Sequence, residues 1–233
     1  MAQNLIMVRE VLEEWCAFNL QSKNLFMQTW IGCFCLLVCL SFVACQSNQN
    51  TTPKIAQKPK ASTSICIQPF DNFPKSELDA ITKKLKNNIP NLTVNKPIAL
   101  PRHALNADKT RYRADSILNF LRKQTAKNVH TIGMTTKDIS TTKPNDADWG
   151  VMGLGSSPGS VCVVSTFRLK GKNKLEKLYK VAIHELGHNE GLPHCSNPIC
   201  YMRDAKGKDH FDNETQFCAH CKSVLIKAGW KNL

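Results

Sequence analysis

The apolar positions of the chain change rhythm several times, and each change marks an expected element. Ile65-Cys66-Ile67, β-formers just ahead of Pro69, predict a first strand. Leu78, Ile81 and Leu85 recur at helical spacing, so a helix is expected over 76–88 with Ser76 as its N-cap. Leu92-Thr93-Val94 reads as a second strand. Ile117, Leu118 and Leu121 mark a second helix over 115–124, and Val129–Thr135 a third strand. The stretch 149–159 is rich in glycine and reads as a loop, after which Val161–Ser165 is a compact apolar strand. A helix is expected over 174–191; periodicity is then lost until a last helix over 215–228. Strands alternating with helices imply an α/β (α+β) fold: a small mixed sheet with flanking helices, a long helix, then an irregular C-terminal part closed by a helix.

Upstream of the first strand the pattern is of another kind. From Ile31 to Ala44 the chain is uncharged and almost wholly apolar, too short to span a bilayer and suited to the hydrophobic region of a signal peptide. It ends in Phe42-Val43-Ala44-Cys45, which resembles a bacterial lipobox whose cysteine is lipidated and becomes the first mature residue. An ordinary signal peptide cleaved nearby is the alternative. Residues 46–63 are polar and punctuated by proline, as a flexible tether would be. The expected organisation is a signal region at 1–44, a lipidated Cys45 with its tether to residue 63, and one folded domain over 64–233. The acidic residues Glu10, Glu13 and Glu14 suit export poorly, so Met7 and Met27 are alternative translation starts.

Of the 233 residues 42% are hydrophobic, which excludes both a multi-span membrane protein and a disordered chain. The net charge is +13, from lysines scattered without an aromatic–basic motif, so it implies a solvated basic surface or attraction to anionic membranes and acidic substrates rather than nucleic acid. The eleven cysteines fall into unlike groups, which is not the pattern of a small disulfide scaffold. Cys195, Cys200, Cys218 and Cys221 cluster near the C-terminus, whereas Cys66 and Cys162 stand alone on expected strands.

The strongest chemical signal is His184-Glu185-Leu186-Gly187-His188 on the long helix. Two histidines four residues apart project from one helical face, so both imidazoles can reach a single ion at ~2.0–2.1 Å. Gly191 can reverse the chain through a left-handed conformation and bring back His194 as a third ligand. Three protein ligands leave a fourth position open, the mark of a catalytic rather than a structural zinc. Glu185, between the two histidines in sequence, is placed to accept a proton from water at that ion.

At these residues the chain resembles the metzincin metallopeptidases, whose extended motif HExxHxxGxxH this is. Cys195 directly after His194, then Cys200-Tyr201-Met202 and Phe217-Cys218-Ala219-His220-Cys221, narrow the resemblance to the archaemetzincin (archaelysin) family. Arg111-Tyr112-Arg113-Ala114, Gly133-Met134-Thr135 with Asp138, and Val163-Val164-Ser165 through Leu169 extend it over residues 65–225. The resemblance implies a metzincin-like fold, a second, structural zinc on the four cysteines, and Met202 as the methionine of a Met-turn beneath the catalytic ligands. It also implies that the strand Val161–Ser165 is the sheet edge on which an extended substrate lies. Read on their own, the four cysteines fit either a tetrahedral thiolate zinc site or a pair of disulfides, since the expected compartment is oxidising. Cys66 and Cys162 are expected to pack as small apolar residues, a disulfide between them being the alternative. His103, His130, His210 and His220 are expected at the surface or in hydrogen bonds.

The expected activity is therefore zinc-dependent hydrolysis of peptide bonds with Glu185 as general base, by an exported, membrane-anchored monomer acting on peptide or protein substrates. The rival is a zinc-stabilised binding lipoprotein that hydrolyses little, against which the intact Glu185 argues.

Overall fold

The computed structural model describes residues 64–208 and 210–233. The signal region, Cys45 and the tether lie outside the described residues. A five-stranded sheet organises the domain, in the order β2-β1-β4-β8-β7. Its strands are β1 (Ser64–Pro69), β2 (Leu92–Val94), β4 (Val129–Thr135), β7 (Gly153–Gly155) and β8 (Val161–Ser165). All neighbours run parallel except β7, which is antiparallel to β8 and forms the edge. A smaller sheet, β3-β5-β6, is built from β3 (Tyr112–Arg113), β5 (Ile139–Lys143) and β6 (Asp146–Val151).

Four α-helices accompany the sheets among the described residues: α1 (Lys75–Asn88), α2 (Ala114–Gln124), α3 (Lys174–Asn189) and α4 (Ala219–Lys227). A parallel sheet must be covered on both faces, and its strands here are accordingly apolar on both. Along β8, Cys162 and Val164 face Ile81 and Leu85 of α1 and Leu178 and Ile183 of α3. The alternate residues Val161 and Val163 face Ile117, Leu118 and Leu121 of α2. Fully burying one such aliphatic side chain contributes roughly 1.5–3 kcal/mol, so the two faces together dominate the stability of the domain.

Several expectations need correction. Helix α1 starts one residue early, at Lys75 after Pro74, so Ser76 lies inside the first turn and does not cap it. Proline has no amide to donate and a fixed φ, which suits it to open a helix. The long helix stops at Asn189 and the last helix is confined to Ala219–Lys227. Most of the stretch expected as a glycine-rich loop is extended: Trp149 and Gly150 belong to β6, and Gly153 and Gly155 to β7. The strand Val161–Ser165 is not the sheet edge; it lies between β4 and β7, and β7 takes the edge. Cys66 and Cys162 are both free. They sit on strands separated by β4, with Cys66 opposite Thr131 and Cys162 opposite Ile132, one register step apart. Successive residues of a strand point to opposite faces, so these thiols cannot meet. Among the described residues no helix is long and apolar enough to cross a membrane.

Buried charge fastens the small sheet to the large one. Asp138, 8% exposed, accepts hydrogen bonds from Arg111 Nε at 2.9 Å and from Arg168 Nε and Nη2 at 2.7 and 2.9 Å. Arg111 leads into β3 and Arg168 follows β8, so one carboxylate ties together the chain segments that frame β5 and β6. Charge-assisted bonds of this kind offset the cost of burying the carboxylate.

Candidate active site

The helix that carries the candidate ligands is α3, and its geometry follows from how it ends. Gly191 adopts φ 91°, and the amides of Gly191 and Leu192 donate to the carbonyls of His188 and Gly187 at 2.9 and 3.0 Å. This left-handed glycine closure turns the chain back along the helix. His184, His188 and His194 are thereby brought together, with ring centroids 4.7, 5.4 and 4.9 Å apart.

The hydrogen bonds of the first two imidazoles fix their tautomers. His184 Nδ1 faces the Tyr201 carbonyl and His188 Nδ1 the Leu192 carbonyl, each at 2.7 Å. A carbonyl only accepts, so each Nδ1 carries the proton and each Nε2 presents a lone pair. The two Nε2 atoms lie 3.1 Å apart, where neither can donate to the other. Two lone pairs held so close offer a cradle for a cation. Tetrahedral zinc with ~2.0–2.1 Å bonds would set its nitrogens about 3.3 Å apart, close to what is seen. Burial lowers the pKa of His184 to about 4, with His188 adding to the effect, and burial also lowers that of His188. Both rings are therefore neutral and available as ligands. His194 is half-exposed, and its Nδ1 lies 3.9 Å from Asp204, a carboxylate that no motif in the sequence singles out.

Glu185 occupies the other side of the helix end. It is 8% exposed, and burial lifts its pKa to about 8, opposed by the hydrogen bond from the Gly155 amide. Edge strand β7 sits directly against it. A Cβ at Gly153 would lie 2.6 Å from Glu185 Oε1, and one at Gly155 would lie 2.8 Å from the Glu185 carbonyl. Only glycine lets this strand approach so closely. Asn189, at the helix end, donates to the carbonyls of Ser156 and Val161 at 3.0 and 2.9 Å and so holds the β7–β8 turn to α3.

Met202 is fully buried beneath the helix, and its Sδ is 2.5 Å from where a Cβ on Gly187 would stand. The glycine between the two histidines therefore makes room for the methionine. The four cysteines form a second cluster, their sulfurs within 4.8 Å of one another and none of them in a disulfide. Cys195 and Cys218 Sγ are 3.8 Å apart, about the separation that tetrahedral zinc with ~2.3 Å bonds would impose. The Cys221 amide, at the start of α4, holds the Cys218 thiol down at about 7. His220 is exposed on α4 and stands outside the cluster.

The sequence model of Peptidase family M54 matches residues 65–227. The chain belongs to that family. An archaemetzincin of Methanopyrus kandleri is 29% identical over 169 residues, 69% of this chain and 94% of the relative. The crystal structure of the Methanopyrus kandleri archaemetzincin superposes with a TM-score of 0.61 at 28% identity, over 73% of this chain and 97% of that one. The Archaeoglobus fulgidus archaemetzincin, crystallised with malonate, superposes with a TM-score of 0.58 at 28% identity, over 69% and 99%. The fold is thus metzincin-like, and the M54 chain is a zinc metallopeptidase, a hydrolase of peptide substrates.

Proposed function

We propose that this M54 peptidase cleaves peptide bonds at a zinc held by His184, His188 and His194, with Glu185 as general base. The observation that carries this reading is the pair of unprotonated Nε2 atoms 3.1 Å apart on a helix whose other imidazole nitrogens are committed to carbonyls. Zinc there supplies Lewis acidity, polarising a carbonyl and bringing the pKa of water towards ~7. Glu185 takes the proton from the attacking water and delivers it to the leaving amine. Its burial and raised pKa suit a group that must hold that proton between the two steps. The Gly155 amide keeps the carboxylate in place, and Met202 supports the helix from below. An extended peptide adds to the free edge of β7 through its backbone, antiparallel to that strand.

The four cysteines hold a second, structural zinc that ties the Met-turn segment to α4. The chain is exported, anchored to a membrane through lipidated Cys45, and acts as a monomer. The binding-lipoprotein reading has no support in the geometry, because a site that only binds has no need of a carboxylate buried beside the ion. The decisive experiment is Glu185→Gln. Zinc content and folding should be retained while hydrolysis of a mixed peptide library falls roughly 10²–10⁴-fold. Equal cleavage by wild type and variant would remove Glu185 from the chemistry.

A further inference from the structure

Three connections meet beyond the carboxyl ends of β4 and β8, where the Thr166 amide donates to the Thr135 carbonyl at 3.0 Å. They border an open cavity of about 680 Å³ lined by Thr110, Arg111, Asp138, Phe167, Arg168 and Lys170, none of them a candidate metal ligand. That size suits a small ligand, and open α/β sheets present their ligand sites outside the carboxyl ends of parallel strands.

The cavity is built around one carboxylate. Asp138 accepts from both arginines, through Arg111 Nε and through Arg168 Nε and Nη2, while Arg111 Nη1 turns to Asp148. Arg111 Nη2 and Arg168 Nη1 are left without an acceptor among the described residues. Arg168 is also seated on Gly150, where a Cβ would lie 2.0 Å from Nη2 and 2.2 Å from Cζ, so a glycine is needed for the guanidinium to rest there. Lys170 Nζ lies 5.2 Å from the ring centroid of Phe167, an aromatic residue that is 47% exposed. Three cations against one carboxylate leave the lining positively charged. Counting the neighbouring Arg113, Asp148 and Asp115 as well makes four cations against three carboxylates, so an excess of one positive charge remains.

Fixed guanidinium N–H groups match the oxygens of a carboxylate or phosphate, and the exposed ring offers an aromatic body a face to stack on. An anionic membrane is met by protruding cations, whereas these two arginines are partly buried and held on a buried carboxylate. We propose that the cavity is a second binding site, for a small aromatic carboxylate or phosphate ester. Its anion sits against Arg111, Arg168 and Lys170, and its ring against Phe167. Thr110 Oγ1 accepts from Asn106 Nδ2 at 3.2 Å, which leaves the hydroxyl hydrogen to donate to the same anion.

The test titrates the zinc-loaded protein with phenylacetate, phenyl phosphate, inorganic phosphate and benzyl alcohol, by calorimetry and by amide chemical shifts. At least one aromatic anion should saturate below about 1 mM, and the tighter of the two identifies carboxylate or phosphate as the preferred group. Inorganic phosphate should bind at least about tenfold more weakly, and benzyl alcohol not at all. The shifts should centre on Thr110, Asp138, Phe167 and Arg168. Lys170→Gln and Phe167→Ala should each weaken binding about three- to tenfold. Both side chains are exposed, so melting should not change. Arg168→Lys keeps the charge but loses the fork, and should also weaken binding. Binding abolished by His184→Ala but retained by Lys170→Gln would put the anion on the metal site and overturn the proposal. So would no saturation by either aromatic anion up to about 10 mM, or a Phe167- and Lys170-dependent affinity for anionic vesicles alone.

Discussion

Replacing Gly153 by alanine isolates the position of the Glu185 carboxylate from its chemistry. The added methyl would lie 2.6 Å from Oε1, 2.7 Å from Cγ and 2.9 Å from Val181 Cγ1. An ordinary contact is ~3.5 Å, so the carboxylate must retreat by roughly 0.8–0.9 Å or the edge strand must move outwards. Displacements on the order of 1 Å at a reacting group cost about 10²-fold in rate, equivalent to roughly 2.7 kcal/mol of barrier. Overpacking costs about 1–3 kcal/mol of stability, offset by roughly 0.4–1 kcal/mol from the less flexible unfolded chain. Melting should therefore fall by only about 2–8 °C. Steady-state kinetics, zinc analysis and a thermal melt on one preparation separate the effects: kcat should collapse while bound zinc stays at the wild-type value. Gly171→Ala is the control, since Gly171 has φ 83° with nothing within 4 Å of a built Cβ. That variant should lose stability through backbone strain and keep its kcat. A fully zinc-loaded Gly153→Ala protein with kcat within about twofold of wild type, and with β7 unmoved in its crystal structure, would refute the placement of Glu185 as the base.

Other expectations follow from the two ligand clusters, from Cys45 and from the partly buried carboxylate of Asp148. A chelator should strip the three-histidine site first and leave the fold standing, whereas removing metal from the four cysteines should unfold the C-terminal part; one zinc per chain by elemental analysis would contradict this. The proposed anchor is tested by Cys45→Ala, which should move the protein from the membrane to the soluble fraction; a wholly soluble wild type would exclude the anchor. Asp148 is held below its usual pKa of 3.8 by hydrogen bonds from Ser140 and then Arg113, together with Arg111. A depressed carboxylate stabilises the fold above its unfolded pKa and loses that contribution as pH falls through the folded value. Acid titration below 3.8 should therefore destabilise wild type more steeply than Asp148→Asn, and parallel curves would show that the carboxylate is not involved.

The parts of this protein that were legible in sequence are those fixed by local periodicity or by fixed spacing. Helix α3 could be found because its apolar stripe and the motif His184, Glu185, His188 share one period, and Gly191 could be assigned its turn because few other residues tolerate φ 91°. The buried strands β1, β4 and β8 announced themselves as short β-branched runs, since a strand covered on both faces has little choice of composition. The small sheet was not legible. β3, β5 and β6 are rich in threonine, arginine and aspartate, and what holds them is long-range: Arg111 and Arg168 reaching Asp138 across 27 and 30 residues of chain.

The edge strand was misassigned for a related reason. β7 consists of Gly-Leu-Gly, a composition that reads locally as a loop, because the strand is selected by the helix beneath it rather than by its own propensity. Each glycine there exists to let Glu185 and the backbone of α3 come within contact distance, a requirement that only the three-dimensional arrangement displays. The same holds for Asp204 beside His194 and for the contact of Gly207 with Trp149. The chemistry of a metallopeptidase recurs in its motif, so the reacting groups are read from spacing. The contact between Trp149 of the small sheet and Gly207 of the loop beyond Met202 joins segments far apart in the chain, so it belongs to the fold and to no local pattern.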